Sequence, residues 1–355
     1  MLLVHLAHAN HIGATGEATR VWEEYKKVEP LLLSAGEKGL ALRCEMRNRR
    51  AVTLTDQFRY EEAMDLLRPL IETEAEAREQ LREIHCIPKS VPFPDRALGA
   101  CFGTMGQILA FMGTPETQRK AENAFRLALN LFDDPSDKER QWVYLGHLAC
   151  DIADAEKADS LWQEVSAAIL GSSGKTVPSD TTNPFVLALR LKGQLRFRNG
   201  GHDQNLASII SFAALDDDSV PKYHPYGLIL QAIGMLAEQH GRTESSTEHL
   251  RLAHDFYHRA SSHMRQGGVL LRVLAHVAEI RAGLVNERAN DRESVLKTTF
   301  LKLRGLVTTE FGEEVWSEDD SGTPTGKWGQ FDCGPGHPWS DRCKAVLQFV
   351  RFNYW

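Results

Sequence analysis

The chain has 355 residues and a formal charge of −7 at pH 7, with 42% of its residues hydrophobic and 25% charged. That composition belongs to a folded chain, and the length exceeds one ordinary hydrophobic core, so the residues divide into domains or form an array of repeats. No basic block is present to meet a phosphate backbone, which argues against nucleic acid, and no apolar run reaches membrane-spanning length.

The apolar start Met1-Leu2-Leu3-Val4 is broken by His5, His8 and His11 and lacks a basic n-region, so it is too short and polar for a secretory signal. Cys44, Cys101 and Cys150 fall in helical patterns and Cys86 precedes a Pro-rich turn, without the paired spacing of a disulfide framework. A reducing cytoplasm is the expected compartment.

From the first residues onward one two-helix pattern recurs: an apolar face carrying a small residue, a polar break, then a second apolar face. Leu6 and Ala9, then Ala18, Trp22 and Tyr25, form the first unit, with Gly13 in its turn. Ala51 and Leu54 lead to Ala63, Leu67 and Leu70, with Arg47 and Arg50 standing at two places where apolar residues would fit. Met105, Gly106 and Leu109 lead to Ala121, Phe125 and Ala128 across an insertion at Gly113-Thr114-Pro115. The clearest unit sets Trp142, Leu145, Gly146 and Ala149 on one face and Ala158, Trp162 and Val165 on the next, with the indoles of Trp142 and Trp162 expected in one buried core. A weaker unit follows at Leu189, Gly193 and Arg196, then Ala207 and Ala214. Leu230, Ile233, Gly234 and Ala237, with Ser246, Leu250 and Ala253, repeat the intervals of the Trp142 unit without a gap. Leu271, Leu274, Ala275 and Ala278 begin a last one.

The run Trp142-Val143-Tyr144-Leu145-Gly146, followed by Ala158 and Trp162, resembles the tetratricopeptide repeat. The resemblance implies an all-α, right-handed solenoid of antiparallel helical hairpins over residues 1–308. The small residue falls at 51, 106, 146, 193, 234 and 275, a longer period than the family's, which also leaves room for another hairpin class such as HEAT. Residues 309–355 form a tail: acidic from Ser317, rich in Gly, Pro and Trp from Thr323 to Ser340, then helical in pattern over 341–354.

In tetratricopeptide arrays the inner helices line a concave groove. By that resemblance, positions around the small residue would face a bound segment: Asn48, Val52 and Asp56 in one unit, Gln107 and Phe111, then His147 and Asp151, in the next two. Arg190, Gln194 and Arg198, then Gln231, Glu238 and Gln239, continue the line. Amides suit a peptide backbone, and the arginines suit carboxylates. The expected function is a scaffold or adaptor that holds a protein or peptide. The alternative is a sensor arm whose effector enzyme or ATPase docks on the N-terminal hairpin, which starts too close to Met1 for a polar cap to precede it.

Chemistry is weakly signalled. His5, His8 and His11 rotate away from a common face, and Cys333, His337 and Cys343 match no familiar zinc module. His147 and Asp151 share a face without a nucleophile, and Gly171 to Thr176 ends in Gly-Lys-Thr without a Walker interval or a preceding strand. Neither an enzyme nor a cofactor is expected, the alternative being a metal-dependent site in the tail around Cys333, His337 and Cys343.

Overall fold

The computed structural model describes residues 27–28, 40–56, 59–67, 78–79, 83, 95–170, 186, 189, 192–193, 196–197, 224–286, 290–312 and 338–350. Among these residues there are eleven α-helices and one π-helical turn, and no strand. The chain divides into two compact units, essentially Met1–Ser172 and Ser173–Asn353. No described helix is long and apolar enough to cross a membrane.

The first unit contains α1 (Leu40–Asp56), α2 (Tyr60–Leu67), α3 (Asp95–Met112), α4 (Pro115–Leu131), α5 (Pro135–Asp151) and α6 (Ala155–Val165), which runs into a π-helical turn at Ser166–Leu170. The helix boundaries follow local chemistry. Gly113 adopts φ 70° to end α3, and Thr114 caps α4 reciprocally with Thr117 ahead of a proline at the first helical position. Asp134 and Asp154 accept backbone N–H groups at the starts of α5 and α6.

Consecutive helices pack against one another: α1 on α2 and α3, α3 on α4, α4 on α5, α5 on α6. This helix-on-helix order is that of a helical repeat. At the α3–α4 contact, a Cβ placed on Gly106 would lie 2.5 Å from Phe125 Cε1, so only glycine admits the ring there. Ala121, Phe125 and Ala128 are buried beside it, which absorbs the insertion at Gly113-Thr114-Pro115 into the turn. Gly146, Ala158, Trp162 and Val165 are buried as well. Trp142 departs from expectation: it is only half-buried, while Tyr144, two residues on, packs its ring at a tilt against Phe125, 5.5 Å between ring centres. Arg47, out of place in the apolar pattern, donates from Nε to the Leu66 carbonyl at the end of α2.

The second unit contains α7 (His224–Thr243), α8 (Thr247–Met264), α9 (Val269–Val285), α10 (Arg292–Phe311) and α11 (Trp339–Phe349). Again each helix packs on the next, and α11 lies against α10 and α9. Gly234 is the α7 counterpart of Gly106: a Cβ there would meet the Tyr257 ring at 2.8 Å.

The gapless repetition expected from Gly234 does not hold. Relative to the small residue, α7 runs to Thr243 whereas α5 stops at Asp151, four residues sooner, about one helical turn. Ser246 therefore sits outside α8 as its N-cap, accepting the His249 N–H, and Gly234 faces Tyr257, four residues beyond Ala253, the last of the aligned set. The tail boundary also shifts, because α10 continues to Phe311 and ends where Gly312 takes φ 101°.

Candidate functional site

The residues picked for a concave groove are not presented alike. Val52 is exposed, and Asn48, Gln107, Asp151 and Gln239 are half-buried. Phe111 stacks on Tyr60 at 5.3 Å between centroids, which commits it to packing between α3 and α2. His147 and Gln231 are buried, at 3% and 0% exposure, so neither can receive a segment from solvent. Glu238 is enclosed by its own unit: it accepts the Tyr257 hydroxyl at 2.6 Å and Arg242 Nε at 2.9 Å, with Arg281 4.0 Å away. Burial holds the Tyr257 phenol in its neutral form by raising its pKa. Asp56 belongs to the last turn of α1. Arg190, Gln194 and Arg198 lie outside the described residues, as do His5, His8, His11, Cys333, His337 and the stretch from Gly171 to Thr176.

Cys343, the remaining member of the tail's candidate ligand set, lies on α11 and is fully buried with Sγ 3.9 Å from the Leu296 carbonyl on α10. Burial pushes its thiol up to about 12. Among the described residues no group of three His, Cys, Asp or Glu side chains encircles a cation site.

Among the described residues, two concavities lie elsewhere, in the second unit. A cleft of about 740 Å³ is bounded by the α7–α8 turn at Gly241, Arg242 and Ser245, by Leu250, Arg251, His254 and Asp255 on α8, and by the end of α9 at Val285 and Asn286. A second cleft, of about 480 Å³, takes His254, His258 and Arg265 from α8, Glu279 and Gly283 from α9, and Asp291 through Lys302 from α10. The two adjoin at His254 and Asn286, forming one furrow across three consecutive helices.

Local sequence explains why these side chains converge. Positions 251, 254, 255 and 258 fall one helical turn apart on the face of α8 opposite buried Ala253, Phe256, Tyr257 and Ala260. Gly283 lets α10 approach α9, since a Cβ there would stand 2.9 Å from Leu296 Cδ2. Arg292 then reaches back to the Gly283 and Leu284 carbonyls, at 3.4 and 3.1 Å, and satisfies the end of α9.

Charge in the furrow is uneven. Arg242, Arg251, Arg265, Arg292 and Lys302 line it against Asp255, Glu279 and Asp291. Glu279 is already held, by Arg265 and by the Ser261 hydroxyl at 3.0 Å, with His276 Nδ1 at 3.2 Å. Arg251 and Lys302 are solvent-exposed. On a chain of charge −7 the furrow is thus locally basic, and it offers serine and threonine hydroxyls and an amide beside the cations. Cations beside amide and hydroxyl groups are chemically suited to carboxylates and peptide backbone.

The groove template missed this surface because it considers only the first helix of each pair. The signal that finds it is histidine density: His249, His254, His258 and His263 all belong to α8. Comparison with protein-family models, with curated proteins and with solved structures gives no match for this chain.

Proposed function

We propose that the chain is a protein-binding scaffold, built of antiparallel helix pairs in a right-handed, tetratricopeptide-like stack, and that its second unit takes an extended acidic segment of a partner polypeptide. The furrow carries this reading: two clefts that share His254 and Asn286, lined by more cations than anions together with an amide and hydroxyl groups, suit an acidic peptide segment. The helix-pair part is supported by the twice-used contact of a glycine under an aromatic ring, Gly106 with Phe125 and Gly234 with Tyr257.

The partner is to be recovered by pull-down from the native source and its affinity measured for the wild type and for Arg251→Glu/Lys302→Glu. Both side chains are exposed, so the fold should stand, while like charge against an acidic segment should weaken binding at least tenfold. Binding should also weaken as salt rises. Undiminished binding by this variant, together with its loss in Arg190→Glu/Arg198→Glu, would move the site to the first-helix groove.

A further inference from the structure

We infer that His254 and His258 form a two-imidazole site for a divalent transition-metal cation of the zinc class, opening into the furrow. The pair is spaced i, i+4 on α8, which sets both rings on one face one turn apart. Their Nε2 atoms lie 3.2 Å apart, with the ring centres at 4.4 Å and the planes inclined at 73°. Two nitrogens bound to one tetrahedral cation at the usual zinc–imidazole distance stand about 3.3 Å apart, so the rings are already at ligand separation. A two-histidine helical site holds a borderline cation such as Zn²⁺, Co²⁺ or Cu²⁺, and a hard cation like Mg²⁺ poorly.

One further feature suits a ligand role. Asp255 Oδ1 lies 3.4 Å from His254 Nδ1, which favours the tautomer with the proton on Nδ1 and the lone pair on Nε2, the arrangement that carboxylates impose on metal-binding histidines. No third His, Cys, Asp or Glu among the described residues completes the shell, so the remaining positions fall to water or to a group brought by whatever occupies the furrow. The competing explanation of the same geometry is a direct N–H···N hydrogen bond between the two rings.

The proposal does not depend on the polypeptide reading, because the cation is titrated with no partner present. Untagged, chelator-treated full-length protein is titrated with Zn²⁺ by calorimetry and with Co²⁺ by visible absorption, alongside His254→Gln/His258→Gln. Circular dichroism establishes that the variant is folded, as expected for residues lining an open cleft. The wild type should bind one more equivalent than the variant, or bind at least tenfold more tightly. Its Co²⁺ complex should show d–d bands without thiolate charge transfer in the near ultraviolet. Equal Zn²⁺ binding by both proteins would overturn the proposal. Thiolate charge transfer of equal strength in both, with no additional equivalent in the wild type, would do so too, by placing the cation on cysteine.

Discussion

The α3–α4 pair and the α7–α8 pair use one packing device at two registers. In both, a glycine on the first helix lies under an aromatic ring of the second: Gly106 under Phe125, 19 positions on, and Gly234 under Tyr257, 23 positions on. The rings differ in what surrounds them. Phe125 is fully buried with the tilted ring of Tyr144 beside it, whereas Tyr257 turns its hydroxyl to Glu238 and so ties α8 to the charged residues Arg242 and Arg281. The comparison teaches that the close backbone approach is the invariant of this fold and the spacing along the chain is not, because helix length is free to change by a turn.

The strongest way to break the comparison is to remove the rings. Phe125→Ala and Tyr257→Ala should each cost about 3–5 kcal/mol in urea unfolding, the usual scale for truncating a buried aromatic. A loss under about 1 kcal/mol in either would mean that its glycine contact is incidental. Next come the glycines themselves. Gly106→Ala should destabilise by about 1–3 kcal/mol through overpacking, less about 1 kcal/mol regained in helix propensity. Gly234→Ala should be milder, since its added Cβ meets a ring at 2.8 Å and not 2.5 Å. If Phe125→Leu relieves the Gly106→Ala penalty in a double-mutant cycle, the contact is direct.

Tyr257→Phe sharpens the contrast between the pairs. It removes only the hydroxyl donated to Glu238, which keeps Arg242, so a loss of about 1.5 kcal/mol is expected from thermal unfolding. The smallest effect belongs to the surface of the first unit, where Arg126 meets Glu164 at 2.7 Å, the carboxylate being 42% exposed. The Arg126 hydrogen bond lowers the Glu164 pKa below its ordinary 4.5, so the pair's contribution is present above that pH and is lost as pH falls through the lower folded value. Glu164→Gln should therefore cost less than about 1 kcal/mol at neutral pH, screened by solvent, and nothing once the wild-type carboxyl is protonated. A difference that persisted in strong acid would assign the effect to packing.

Much of the helical framework was legible in the sequence, because a 3.6-residue apolar period with small residues at helix contacts is a direct record of burial. Gly106, Ala121, Phe125 and Ala128, and Gly146, Ala158, Trp162 and Val165, all take buried places. Helix length was not legible: the α7 periodicity continues one turn past the point where α5 stops, and no proline or glycine cap announced it. The furrow was hidden for a different reason. Its polar residues read as the solvent face of α8 taken alone, and the side chains that convert that face into a wall, from Glu279 to Lys302, come from later helices with no spacing rule linking them to it. Burial of a polar residue was equally invisible: Gln231 falls at a groove position by template and is wholly enclosed in the unit.

The docking of α11 bears on the order in which the second unit assembles. Glu293, at the start of α10, accepts the backbone N–H groups of Trp339 and Ser340 at 2.7 and 3.3 Å, and Phe300 and Arg342 pack their side chains on Trp339. Each of the other described helices of the unit meets its sequence neighbour across a short connection, so those contacts close small loops and form fast. The contact from Glu293 to Trp339 spans 46 residues and gains nothing until α10 exists to present its carboxylate. Folding should accordingly advance from helix to neighbouring helix and finish with α11, whose N-terminus waits for a cap that another element must first put in place.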